Sequence, residues 1–453
     1  MGVFSLLNNF SIKNKRPWKG YFAQRVVYPS ELPSIMRKHI YTGVMGNIYY
    51  TLITGIFFVY YGNAVGLSRF QWGLMGGISS FLLTAQILSA LLTQRLGKRK
   101  FLWFASAVAG RGVRLLGILL SLLFWNAGYH YAPIILIAAL CLAHLFEAIA
   151  IPPWMSWLAD IIPERQHGGF WGRRSAWLAF AVICVAVPAG LLIDRTPEEW
   201  KIFTAVIIFF GASIVGLIDL LIHGTLPEPA MDIPERGRFF SQLKAPLLDT
   251  GFRPYLVFVF CWASSISLGG SLAVLYFMEE LGIKNNLLGG SIVITSFYLL
   301  GGVFTGAWSG KLVDRLGPKR VLFGGHFFWG LLPAFWLVAT PRTALLWLSF
   351  SSILSGVACV AALTAANKLI TRFPDPPDRP MYVAVSSCIG SLARAIGLIT
   401  TGIVLRQLEG WTWTVGGWTL VPFHLLFIAS LTLRLLTTNL LIRRIKDPTR
   451  QEK

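Results

Sequence analysis

GKLVDRLGPKR, Gly310 to Arg320, is a short basic turn set between two long apolar runs. A looser copy, ALLTQRLGKRK, occupies Ala90 to Lys100 and is flanked in the same way. The copies stand roughly 220 residues apart, close to half the chain, so the sequence reads as a duplicated membrane bundle.

Composition supports that reading. The 453 residues are 55% hydrophobic and 13% charged, about half the ~25% charge of a soluble domain. The net charge is +20, which on its own would suggest a nucleic-acid binder. Placement of the charges excludes that. Of 40 Lys and Arg, about 30 fall in the two termini and alternate loops and about 6 in the remaining loops. This is the positive-inside pattern of a polytopic membrane protein, with the bilayer as partner and no nucleic acid. Cys141, Cys184, Cys261, Cys359 and Cys388 all fall in apolar runs without a CxxC pair and read as packed thiols. No metal site or cofactor motif is present, and neither a nucleotide loop nor a nucleophile elbow, so an enzyme is not expected.

Apolar stretches long enough to cross a bilayer number twelve, near 40–62, 70–93, 101–125, 131–157, 174–193, 201–224, 254–279, 286–309, 321–339, 343–370, 381–405 and 415–440. They are too long and too unbroken for strands, so the expected fold is an all-α integral membrane bundle. An even count places both termini on one side. The basic N-terminus (Lys13, Lys15, Arg16, Lys19, Arg25, Arg37, Lys38) and tail (Arg443, Arg444, Lys446, Arg450, Lys453) make that side cytoplasmic. With those basic residues and no cleavage site, the first span is expected to act as its own insertion signal. The long polar break LPEPAMDIPERGRFFSQLKAPLLDTGF, Leu226 to Phe252, joins two six-helix halves. The expected organisation is a cytoplasmic segment 1–39, a first half 40–224, a linker 225–253, a second half 254–440 and a cytoplasmic tail 441–453. A second repeat agrees: YYGNAVGLSRFQWG (Tyr60 to Gly73) aligns without gaps on YFMEELGIKNNLLG (Tyr276 to Gly289).

These residues resemble the major facilitator superfamily of secondary transporters, whose loop between spans two and three reads G-x-x-x-D-R/K-x-G-R/K-K/R. The second copy here supplies Gly310, Asp314, Arg315, Gly317, Lys319 and Arg320. The first has Ala90 for the glycine and Gln94 for the aspartate, and keeps Arg95, Gly97, Arg99 and Lys100. The resemblance implies twelve helices in two pseudo-symmetric halves that work by alternating access. It also implies that the turn latches the cytoplasmic side, with Asp314 carrying more of the latch because Gln94 has no charge. The alternative is that both turns only fix topology. Ser156 to Arg174 (SWLADIIPERQHGGFWGRR) and Phe373 to Val385, with Arg379, resemble the family's next loop pair. The short VPAG at Val187 to Gly190 lacks the glycine pattern of the drug–proton antiporters.

Ionisable groups inside the spans are few: Arg111, Arg114, His144, Glu147, Asp219, His223, His326, Arg394, His424 and Arg434. Arg111 and Glu147 both fall ~15 Å from the cytoplasmic ends of consecutive spans. An Arg111–Glu147 or Arg114–Glu147 pair is therefore expected, with His144 on the face of Glu147. The pair reads equally as a coupling site or as a structural lock. Asp219 and His223 are placed near the headgroups. Arg394 suits an anionic substrate, a gate or backbone carbonyls, while Arg434, His326 and His424 read as packing or snorkelling residues. The resemblance puts the cavity on spans one, four, seven and ten, naming Asn47, Tyr50, Trp262, Ser264, Ser265 and Thr364. The resulting expectation is a monomeric secondary transporter of a small solute, without a cofactor, coupled to a proton or another ion, in the plasma (bacterial inner) membrane. Its rival is a non-transporting sensor or assembly factor on the same fold.

Overall fold

The computed structural model describes residues 21–231, 239–370, 373, 379–416 and 418–446. Among them, twelve helices are long and apolar enough to cross a membrane: Pro29–Ala64, Arg69–Thr93, Arg99–Asn126, Ala132–Leu158, Arg173–Arg195, Glu198–His223, Arg253–Glu279, Leu287–Gly306, Pro318–Val338, Ala344–Ile370, Met381–Gln407 and Pro422–Arg444. They are numbered here as spans 1 to 12.

Three boundaries differ from the sequence reading by more than three residues. Span 1 starts at Pro29 rather than 40, because Arg37 and Lys38 interrupt the apolar run without interrupting the helix. Lys38 is accommodated by donating to Thr225 Oγ1 at 2.9 Å. Span 12 starts at Pro422 rather than 415. The preceding Thr-, Val- and Trp-rich residues pair as a small antiparallel hairpin, β1 (Trp413–Val415) and β2 (Trp418–Leu420), as suits β-branched and aromatic side chains. Span 12 also runs past 440 to Arg444. The linker contains a helix, Phe239–Leu248, after which Asp249 caps the Gly251 and Phe252 amides at 2.8 and 3.2 Å.

Both basic turns have a local cause. Gly97 (φ +59°) and Gly317 (φ +83°) adopt backbone angles that other residues resist, which ends one helix, and Pro318 opens the next. The end of the bundle carrying these turns is called the turn end below.

Spans 1 and 7 are both broken. Span 1 parts at Thr54, which is extended, and Gly55 (φ +64°). Span 7 parts at Leu268 and Gly269 (φ +79°). Under the repeat that aligns Tyr60 with Tyr276, the two breaks fall within two residues of each other. One hydrophobic core at the end opposite the turns joins both halves, including Ile56, Leu275, Leu287 and Leu398. At the turn end the halves keep separate cores, one around Trp103, Trp157 and Leu220 and the other around Phe252, Val321 and Leu369.

Candidate functional site

Contacts between the halves gather at the end opposite the turns. Arg69, at the start of span 2, forks onto Glu279 and Glu280 at the end of span 7, at 2.8 and 2.9 Å. Asn63 donates to Glu279 at 3.4 Å. The Asp194 carboxylate of span 5 accepts the first amides of span 8, Leu287 and Leu288, at 3.0 and 2.8 Å, a favourable place for an anion. Span 2 lies directly on span 11: a Cβ at Gly73 would come within 2.6 Å of Gly402 Cα. Among the described residues, no ion pair at the turn end crosses from one half to the other. The described ion pairs and amide contacts thus join the halves at the end opposite the turns.

The turns themselves are unequal. In the second half, Asp314 pairs with Lys368 of span 10 at 2.5 Å, both partly exposed and both in the same half. Lys319 donates to the Arg443 carbonyl at 2.9 Å, while Arg315 and Arg320 are exposed. Gly310 faces open space. In the first half, Arg99 is fully buried and ion-paired with Asp160, and its Nη2 reaches the Pro229 carbonyl at 2.9 Å. The enclosed Glu228 accepts the Arg99 and Lys100 amides at 2.7 and 3.3 Å, and Lys100 Nζ reaches the Leu226 carbonyl at 3.1 Å. The first turn thus holds the start of the linker. Arg95 is exposed. The side chains of Gln94 and Arg379 lie outside the described residues.

A cavity of about 230 Å³ opens inside the first half. Thr42, Gly43, Gly46, Asn47 and Tyr50 of span 1 line it, facing Trp103 and Arg111 of span 3, Trp154 of span 4, Arg174 and Leu178 of span 5, and Asp219 and His223 of span 6. Asn47 and Tyr50 are thus on this cavity, but Trp262, Ser264, Ser265 and Thr364 are not. Trp262 packs against His326 in an aromatic cluster, with ring centroids 4.5 Å apart. The Ser264, Ser265 and Thr364 hydroxyls donate to the Ala393, Trp262 and Val360 carbonyls. Their place is helix packing in the second half.

Two ion pairs lie deep in the first half. Arg114 meets Glu147 at 2.6 Å, as one of the two expected pairings had it. Arg111 does not share that partner. It reaches span 6, pairing with Asp219 at 2.8 Å and bonding the Gly216 carbonyl. Asp219 is therefore buried on the cavity. His144 turns toward span 2, with Nδ1 3.1 Å from Ser79 Oγ and 2.8 Å from the Leu140 carbonyl. Arg394 donates to Ser391 Oγ at 2.8 Å and is not on the cavity.

Of the packing and snorkelling readings, Arg434 takes the packing one, though sequence reading missed which carbonyls it holds. It is buried in span 12 and donates to the Ile266 and Trp329 carbonyls at 3.2 and 3.3 Å. The Ile266 carbonyl is freed by the break in span 7, while Thr401 Oγ1 accepts the Gly269 amide there at 2.8 Å. Span 1 has only Thr54 Oγ1 on the Tyr50 carbonyl, at 2.5 Å. Arg174 was also missed, because WGRR at Trp171 to Arg174 reads as loop charge.

Parts of the chain are similar in sequence to known proteins. It is 30% identical over 141 residues to the Arabidopsis thaliana protein "Probable anion transporter 3, chloroplastic", covering 30% of this chain and 26% of that one. It is 25% identical over 242 residues to the Oryza sativa subsp. japonica protein "Probable anion transporter 2, chloroplastic", covering 53% and 38%. The chain thus spans about a quarter to two-fifths of these relatives' lengths. In fold it is similar to the nucleoside transporter NupG (TM-score 0.65, 11% identity, 91% of this chain and 99% of that one). It is also similar to a bacterial homologue of the human lysosomal transporter Spinster in an inward-facing, unoccupied conformation (TM-score 0.60, 16% identity, 92% and 95%). The sequence model of the Major Facilitator Superfamily matches residues 40–293 and 255–451. Duplicated turns, twelve spans and that match across both halves make this multi-pass membrane protein a member of the major facilitator superfamily.

Proposed function

We propose that the protein is a secondary transporter that moves a small solute by alternating access. The observation that carries this is the one-ended closure: Arg69, Glu279, Glu280 and Asp194 hold the halves together at one end, while their cores separate at the other. Breaks at neighbouring places in the repeat, in spans 1 and 7, support it, since interrupted helices in matching regions of two repeats mark solute sites. The names of the plant relatives and of both structural neighbours are compatible with it. With the turn end taken as cytoplasmic by its charge, this conformation faces inward and both termini are cytoplasmic. The reading includes a single working copy in a plasma or bacterial inner membrane. Proton coupling is assigned to Glu147, whose carboxylate shares a membrane-embedded pair with Arg114 and can exchange a proton when that pair opens.

The test is solute flux into proteoliposomes with and without an imposed proton gradient, for the native protein and Glu147→Gln. Gradient-driven flux in the native protein, with gradient dependence lost in the variant, is expected. A solute that binds but never crosses supports the sensor reading instead. Coupled flux unchanged in Glu147→Gln removes the coupling assignment.

A further inference from the structure

Charge in the first-half cavity does not balance. Its ionisable lining is Arg111, Arg174, Asp219 and His223. Arg111 and Asp219 cancel at 2.8 Å. The His223 ring is neutral by its partners. An indole nitrogen only donates, and Trp154 Nε1 stands 3.2 Å from His223 Nε2, so that nitrogen accepts. The ring proton is then on Nδ1, 2.8 Å from Thr42 Oγ1, whose own hydrogen goes to the His39 carbonyl at 3.2 Å. Behind the lining, Arg114 and Glu147 cancel at 2.6 Å. His39, with both ring nitrogens unpartnered, could only add positive charge. One cation is left over.

That cation is Arg174. Among the described residues its guanidinium is within ion-pair or hydrogen-bond distance of no partner, Asp219 acting on it only from farther off while bound to Arg111, and its Nε is enclosed without a partner. It lies against span 1 where Gly43 has no side chain: a Cβ there would sit 2.9 Å from Nε and from Nη2. Trp154 and Trp171 flank it, with ring centroids 5.7 and 5.4 Å from the guanidinium carbon. Two indole faces offset part of the cost of a cation in this place, but they leave the N–H groups unsatisfied. An unpaired charge within a membrane bundle is costly, and a guanidinium fits a carboxylate or phosphate better than any other partner. Trp103, Trp154, Tyr50 and Leu178 supply apolar walls beside it.

We propose that Arg174 is the anchor of a binding site for a small organic anion, a carboxylate or phosphate monoester with an apolar or aromatic body, in the first-half cavity. This rests on the transport reading for its purpose but not for its existence. The anion accepts from the guanidinium while its body lies among the tryptophans.

The test uses the purified full chain in phosphatidylcholine nanodiscs. Benzoate, phenyl phosphate, benzamide and benzylamine are titrated while tryptophan fluorescence and thermal unfolding are followed. Benzoate and phenyl phosphate should bind at least ~10-fold more tightly than benzamide or benzylamine. Arg174→Gln should weaken benzoate at least ~10-fold and leave benzamide unchanged. Arg174→Lys, which keeps the charge, should retain part of the anion preference and serves where the Gln variant does not fold. The proposal is overturned if no anion binds or if benzamide matches benzoate. It is equally overturned if the variants bind benzoate as the native protein does, or if only phosphatidylglycerol in the disc stabilises the protein, which makes a lipid headgroup the occupant. Flux separates the two readings. An anion bound at Arg174 but not moved defeats transport and leaves the site, whereas movement of cations that ignores Arg174 does the reverse.

Discussion

Gly73→Ala is the sharpest probe of the seam between the halves. The new Cβ would meet Gly402 Cα at 2.6 Å, Gly402 N at 2.8 Å and the Leu398 carbonyl at 2.8 Å. All three are backbone atoms, so no rotamer change relieves the clash. Spans 2 and 11 must move apart until the contact reaches ordinary van der Waals range, 3.4 Å or more. Overpacking of this kind costs ~1–3 kcal/mol. Only the state closed at this end bears the cost, which moves its population relative to the opposite state by about 5- to 150-fold. The assay is a spin-label distance between His130 and Arg342, exposed residues on opposite halves at the same end. Gly73→Ala should increase the long-distance population. Gly301→Ala is the control: its Cβ would meet the Ile353 carbonyl at 2.4 Å, but both residues belong to the second half. It should lower the melting temperature and leave the distance distribution unchanged. Identical distributions for Gly73→Ala and the native protein would refute the claim that this seam sets the conformational balance.

Two further outcomes follow from the ion pairs. Arg69→Gln leaves Glu279 and Glu280 side by side without their counter-charge, so it should favour the same opened state, and restoring charge with Arg69→Lys should partly reverse the shift in the same spin-label measurement. Asp314→Asn breaks the ion pair with Lys368, whereas Gln94 carries no charge to lose, so flux should fall more in Asp314→Asn than in Gln94→Ala. Equal flux would leave the turn with a topological role only.

Span count and both turns were legible because membrane length and helix-ending glycines are written locally, in runs such as 343–370 and in Gly317–Pro318. The hairpin at Trp413 to Leu420 was not. Its apolar residues are indistinguishable by hydropathy from the start of a span, and only pairing makes them strands. Depth along a helix was enough to suggest a partner for Glu147, but not to choose Arg114 over Arg111, since rise fixes height and not azimuth. Arg111 faces the sixth span, and its pairing with Asp219 was not foreseen for the same reason. Arg174 and Arg434 were obscured differently. A cation next to a loop or a helix end looks like snorkelling until the structure shows it turned inward, onto Gly43 in one case and onto the broken span 7 in the other. The Arg69 fork joins residues of opposite halves, and no local pattern records such a meeting.

The burial of Glu228 under the first turn has a mechanical consequence. With Leu226, Pro227, Glu228 and Pro229 all bonded to Arg99, Lys100 or Trp157, the chain leaves the first half only after Pro229. The second half reclaims it at the helix beginning with Phe239, which packs on span 11. Ten Cα steps separate these two moorings, so they can stand at most ~35 Å apart. Opening of the turn end therefore has an upper bound set by chain length and by where Glu228 and the Phe239 helix are held.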